Sequence, residues 1–171
     1  MRALLASLLI LCCAVNAATA TVAEDIAAGR AALERRDVVA AMSAFTAALE
    51  ADPGSAEAAY ERGRLLLLIG EPAKAVADFT SAIISRPEFG RAYVGRAEAK
   101  LLLKDGQSAI ADFDRAIEVS PADADVHVAR AAFRLRIGNL PGARADLIAA
   151  RAVADEATAA RIDSMLKKLG G

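Results

Sequence analysis

Prolines 53, 87 and 121 recur at an interval of 34 residues, and that interval runs through most of the chain. Phe45, Phe79 and Phe113 keep it, with Leu147 in the next slot. So do Ala41, Ala75, Ala109 and Ala143, and again Ala48, Ala82, Ala116 and Ala150. Two charged series share the register: Arg62, Arg96 and Arg130, and Asp78, Asp112 and Asp146. A period of this length marks a row of supersecondary units that bury one another's apolar faces. No long alternating Val/Ile/Thr run is present, which disfavours sheet.

Each unit predicts two amphipathic helices. In the second unit these cover Ala56–Leu68 and Pro72–Ser85, joined by a turn at 69–71. Gly70 suits a helix C-terminus that needs positive φ. Pro72 suits a first helical turn, where no N–H donor is missed. Ala75, Phe79 and Ala82 stand at i, i+4 and i+7 and so share one stripe. The prolines at 53, 87 and 121 close each second helix, since proline cannot continue the hydrogen-bond ladder. The third unit places Lys104, Asp105 and Gly106 at its turn, and the fourth places Gly138 and Asn139 ahead of Pro141. The chain holds 44 alanines, which form helix well and let helices approach closely.

These residues resemble the tetratricopeptide repeat, a helix–turn–helix unit of the same length. The resemblance rests on the small residue at 41, 75, 109 and 143, the aromatic at 45, 79 and 113, the second alanine at 48, 82 and 116, and the closing proline. Gly29 and Gly63 fall where that family has a small residue in the first helix, with Ala97 and Ala131 in the later units. The likeness covers roughly residues 22–153. It lapses at the early aromatic position, which holds Ala59, Tyr93 and His127, and in the fourth unit, where Leu147 and Asp155 replace Phe and Pro. It implies an all-α fold, a right-handed α-solenoid of about four hairpins at 22–55, 56–89, 90–123 and 124–155. A last helix at 156–169 would cap the array, with Ala157, Ala160 and Met165 on its apolar side. Arg161, Asp163, Lys167 and Lys168 form its solvated side, the two lysines also complementing the helix dipole.

The phenylalanines are expected to fill the gap between one unit's second helix and the next unit's first, the alternative being an aromatic binding ladder. Each aspartate follows an arginine by sixteen residues in the same register. Equal numbers and opposite signs point to an Arg–Asp pair within or between units. Two independent solvated rows are the competing reading.

First helices line the concave wall of such an array. Counting along them puts Arg30 and Leu33, then Glu57, Tyr60 and Arg64, then Arg91, Val94 and Glu98, then Asp125, Val128 and Ala132 on that side. Arg30, Arg64 and Glu98 form one row at the repeat interval. This mixture suits an extended peptide or a helix laid in a groove, although Arg64 and Glu98 satisfying each other is an equal alternative. Some members of the family clamp a C-terminal carboxylate with Lys, Asn and Arg. Here the wall's cations are all arginines, Asn is absent and acidic residues intrude, so that activity is not expected. The resemblance implies a non-catalytic interaction scaffold with a protein or peptide partner. The alternatives are a homo-oligomerising module and an accessory subunit of an envelope enzyme.

Chemistry-bearing motifs are sparse. Lys and Arg number 21 against 22 Asp and Glu, so excess positive charge for nucleic acid is lacking. No phosphate-binding glycine loop occurs, and no cofactor is expected. His127, the single histidine, takes a slot held by Tyr93 in the preceding unit and reads as a packing residue. Met1 and Arg2, the uncharged run from Ala3 to Val15, and the ending Ala18, Thr19, Ala20 together have the layout of a signal peptide. Cleavage after residue 20 would remove Cys12 and Cys13, leaving no thiol chemistry in a periplasmic or secreted chain, the alternative being that the segment stays as an uncleaved N-terminal anchor. No later stretch is long and uncharged enough to span a bilayer.

Overall fold

The computed structural model describes residues 21–170, and all regular structure among them is helical. The expected signal segment and both cysteines lie outside the described residues. Helix α1 spans 21–34. It is followed by α2 (Val38–Ala51), α3 (Ala56–Leu68), α4 (Pro72–Ser85), α5 (Gly90–Leu102), α6 (Gly106–Val119), α7 (Ala124–Arg136), α8 (Leu140–Val153) and α9 (Glu156–Leu169). The chain divides between Ser85 and Arg86 into two compact units.

The ends of the helices have local causes. Asp37, Ser55, Asp105, Asn139 and Asp155 each accept a backbone N–H of the following helix's first turn, satisfying a donor that has no partner inside the helix. The chain reverses through a left-handed residue at the same point of each hairpin: Arg36, Gly70, Lys104 and Gly138 have φ of 60°, 79°, 65° and 77°. In the third hairpin this corrects the expected turn. Lys104 carries the positive φ, and Gly106 is already the first residue of α6.

In the first unit, Phe45 and Phe79 are fully buried. Phe45 shares a core cluster with Ala58 and Leu65 of the next hairpin, as expected. The ring also lies across its own hairpin's first helix, which the expectation left out. A Cβ at Gly29 would stand 2.4 Å from Phe45 Cε1, and one at Gly63 would stand 2.9 Å from Phe79 Cε1. The rings occupy the space that a missing side chain leaves open.

In the second unit Ala97, Ala109, Phe113 and Phe133 form one cluster, with the Phe113 and Phe133 rings stacked at 5.2 Å between centroids. Leu147 joins Ala131, Ala143, Ala150 and Ile162 in another. That second cluster is closed by α9, with Met165 packing as expected but the rest of the expected apolar side turned away. Ala157 and Ala160 are exposed, while Ile162 is buried and Met165, Leu166 and Leu169 pack beside it. The branched and long side chains at i, i+3, i+4 and i+7 outcompete two alanines for the interface because they remove more apolar area from water.

Each Arg of the repeated series meets the Asp sixteen residues on, across the two helices of one hairpin. Arg62 Nε and Nη2 donate to Asp78 at 2.7 and 2.8 Å. Arg96 donates to Asp112 at 2.9 and 2.7 Å, and Arg130 to Asp146 at 3.1 and 2.7 Å. The fork geometry fixes the rotation of one helix against the other as well as their distance. Lys100 and Arg134 add a second cation in the second unit, each 2.7 Å from Asp112 and Asp146 respectively.

Candidate functional site

In the first unit, α1 and α3 bring together Arg30, Glu57, Tyr60 and Arg64, four of the residues expected on the binding wall. Arg30 Nε donates to Glu61 at 2.7 Å, and its Nη2 contacts Glu57. The Glu61 hydrogen bond, opposed by burial, pushes the Arg30 guanidinium above its ordinary range. Arg64 is the looser cation: its Nη1 stands 3.7 Å from Glu61, and its guanidinium lies 5.8 Å from the Tyr60 ring centre. Tyr60 in turn leans on Phe79 at 5.9 Å between centroids, so a core ring supports the half-buried one. Glu61 was not among the expected wall residues. It is 4% exposed and holds the cluster from beneath, and it belongs to no repeated series that would have drawn attention to it.

In the second unit, Arg91 and Asp125 are likewise brought together. Arg91 Nε donates to Asp123 at 2.9 Å and Nη2 reaches Asp125 at 3.4 Å, while Arg161 of α9 stands 3.6 Å from Asp125. Asp123 is a second residue that the sequence reading missed; its signal was its place just ahead of α7, where it also caps the helix. Val94 and Val128 are half-buried against the clusters of Phe113 and Leu147, so they serve packing as much as any surface. Glu98 is exposed on α5, as Ala132 is on α7.

One recess borders the second cluster, and another lies apart from the first. An open cleft of about 710 Å³ in the second unit is lined by Arg91, Ser120, Asp123, Asp125, Asp155 and Thr158 among others. A more apolar groove of about 560 Å³ in the first unit runs along α2, beside Val38, Val39, Met42 and Ile69.

His127 is buried at 7% exposure. Its Nε2 lies 2.9 Å from the Pro121 carbonyl, an acceptor, so that nitrogen carries the proton. Nδ1 has no partner. The ring ties α7 to the turn before it. Among the described residues, no group of three His, Cys, Asp or Glu is placed to hold a metal ion. No helix among them is long and apolar enough to cross a membrane.

A family model described as tetratricopeptide repeat matches residues 26–88 and 69–124, more than half of the chain. No curated protein matches it. Among solved structures, TTC0263, a thermophilic repeat protein of Thermus thermophilus, is 24% identical with a TM-score of 0.74, covering 86% of this chain and 80% of that one. The TPR2B domain of yeast Sti1, in a complex with pHsp70, is 27% identical with a TM-score of 0.57, covering 58% and 80%. The first repeat domain of Spaghetti (RPAP3), bound to the HSP90 peptide SRMEEVD, is 20% identical with a TM-score of 0.59, covering 62% and 86%. The likeness places the fold in the all-α class of helical repeats.

Proposed function

The chain belongs to the tetratricopeptide repeat family, and we propose that it is a non-catalytic scaffold whose first-helix surfaces hold a peptide or protein segment. The observation that carries this is the α1–α3 surface of the first unit. There the half-buried Tyr60 ring and the loosely paired Arg64 guanidinium stand together on a base formed by Glu61 and Phe79. Rigid aromatic and arginine anchors contribute the largest share of binding energy in protein interfaces. The HSP90 peptide bound to Spaghetti and the pHsp70 complex of Sti1 support the reading by analogy of fold. A carboxylate clamp is not part of it, because Arg30 is already engaged by two glutamates.

We further infer that residues 1–20 direct export, on the charged start, apolar middle and Ala18-Thr19-Ala20 ending. The scaffold then works in a bacterial envelope, as a periplasmic or secreted protein.

Panning a random peptide library on the purified chain tests the binding reading. Selected peptides are expected to lose at least about tenfold in affinity to the Tyr60→Ala/Arg64→Ala variant, measured by fluorescence anisotropy. Unchanged affinity would remove this surface from the account.

A further inference from the structure

One edge of the second unit combines two features that packing does not require. At the hairpin-turn end of its helices, Leu102, Leu103, Ile137 and Leu140 stand 60%, 47%, 57% and 55% exposed. Leu101 packs in the cluster of Phe133, and Leu135 in that of Leu166 and Leu169. The C-terminal ends of α5, α7 and α9 therefore lie along one edge. The same edge carries Lys104, Arg136, Arg144, Lys167 and Lys168, all exposed. A side chain at Gly170 would begin 3.3 Å from Arg144 Nη1, which sets Arg144 beside the end of α9. None of the five cations has a carboxylate within ion-pair distance among the described residues: Asp105 merely adjoins Lys104 in sequence, while Asp146 and Asp163, near Arg144 and Lys167, are held by Arg134 and Arg151.

Helix dipoles account for Arg136, Lys167 and Lys168, which stand in last turns. They do not account for four branched apolar side chains left in water; Arg144, though near the start of α8, stands beside the end of α9, whose dipole favours it. Exposed apolar groups ringed by unpaired positive charge mark a docking surface. The apolar side chains stand exposed at the turns and the helix ends beside them, which fits a yielding partner that they enter. We propose that this edge adsorbs to an anionic lipid bilayer, the leucines and isoleucine entering the headgroup boundary and the cations meeting lipid phosphates. The contact is peripheral and does not involve the α1–α3 surface, so it stands or falls separately from peptide binding.

The test is co-sedimentation of the full chain with vesicles of equimolar phosphatidylcholine and phosphatidylglycerol, against vesicles of phosphatidylcholine alone. Binding to the anionic vesicles is expected to fall steeply as salt is added. At fixed salt, the Arg136→Glu/Lys167→Glu/Lys168→Glu variant is expected to partition roughly a hundredfold more weakly, about fivefold per cation removed. Wild type and variant share residues 1–20, so any contribution of that segment cancels. Leu103→Ser/Ile137→Ser is expected to abolish the binding that survives high salt. Equal partitioning of the wild type and the charge-reversed variant overturns the proposal. So does binding to polyglutamate with none to vesicles, which assigns the edge to an acidic protein instead.

Discussion

The two units share one repeat register and hold their hairpins by different means. In the first, the small residues of the first helices are Gly29 and Gly63, and Phe45 and Phe79 lie directly over them. In the second, alanines 97 and 131 take those positions. The ion pairs follow the opposite trend. The first hairpin has Ala28 and Ala44 where later ones have Arg and Asp, and the second has one Arg–Asp pair. Both hairpins of the second unit have that pair plus a further cation on the same carboxylate. In the first unit the slot of Lys100 and Arg134 is filled by the buried Leu66. A period thus specifies where two helices meet, and leaves open whether a ring over a bare backbone or a charged fork fixes them there.

The sharpest way to break this contrast is at a ring. Phe79→Ala should cost about 3–5 kcal/mol, read from urea unfolding, because the cavity would open against both Gly63 and Tyr60. An unchanged midpoint would mean that the ring contributes nothing to the first unit. Glycine substitutions divide the units next. Alanine is the better helix former by about 1 kcal/mol, yet Gly29→Ala should destabilise by about 1–3 kcal/mol, since the added carbon runs into the Phe45 ring. Gly106→Ala in the second unit meets nothing within 4 Å and should stabilise by about 0.4–1 kcal/mol. Opposite signs in thermal melts support the contrast, and equal signs refute it.

The smallest effect concerns the helix starts of the second unit. The Ser108 hydroxyl and N–H hold the Asp105 carboxyl below the usual carboxylate range, and the Thr158 N–H and hydroxyl do the same for Asp155. Both groups are charged in the folded state at lower pH than when unfolded. Their contribution is therefore complete above the ordinary range near about 3.9 and is lost as the pH falls through their depressed values. Asp105→Asn and Asp155→Asn keep a capping oxygen and remove the titration, so they should flatten the loss of helical circular dichroism between about pH 4 and pH 2. An acid transition of undiminished size would show that these caps are not its source.

What the sequence disclosed followed from repetition. Phenylalanines 45, 79 and 113, the Arg–Asp series and the bounds of α3, α4 and α9 were all legible, because each position could be checked against others in the same register. Residues without counterparts were not. Glu61 has Ala27 and Gly95 at its register positions, so nothing marked it as the base of a charged cluster. Lys104 stands where the second and fourth hairpins have glycine, and the nearby Gly106 drew the turn one residue too far. On α9, a single helix read without a repeat to align it, Ala157 and Ala160 were expected on the apolar side and Ile162 was passed over, although its larger side chain is the one buried. Surface residues such as Arg30 and Arg91 could be placed on a face by counting, but their pairing depends on acids from other segments.

A double-mutant cycle on Arg96 and Asp112, run beside one on Arg62 and Asp78, tests the claim about the hairpins most directly. Arg96 and Asp112 are little exposed, their guanidinium and carboxylate share two hydrogen bonds, and the account predicts a coupling energy of about 2 kcal/mol or more. For Arg62 and Asp78, where the arginine is more exposed and no second cation attends, a smaller but nonzero coupling is expected. Additivity of the two substitutions in both cycles would contradict the account, showing that the repeated charges accompany the packing without fixing it.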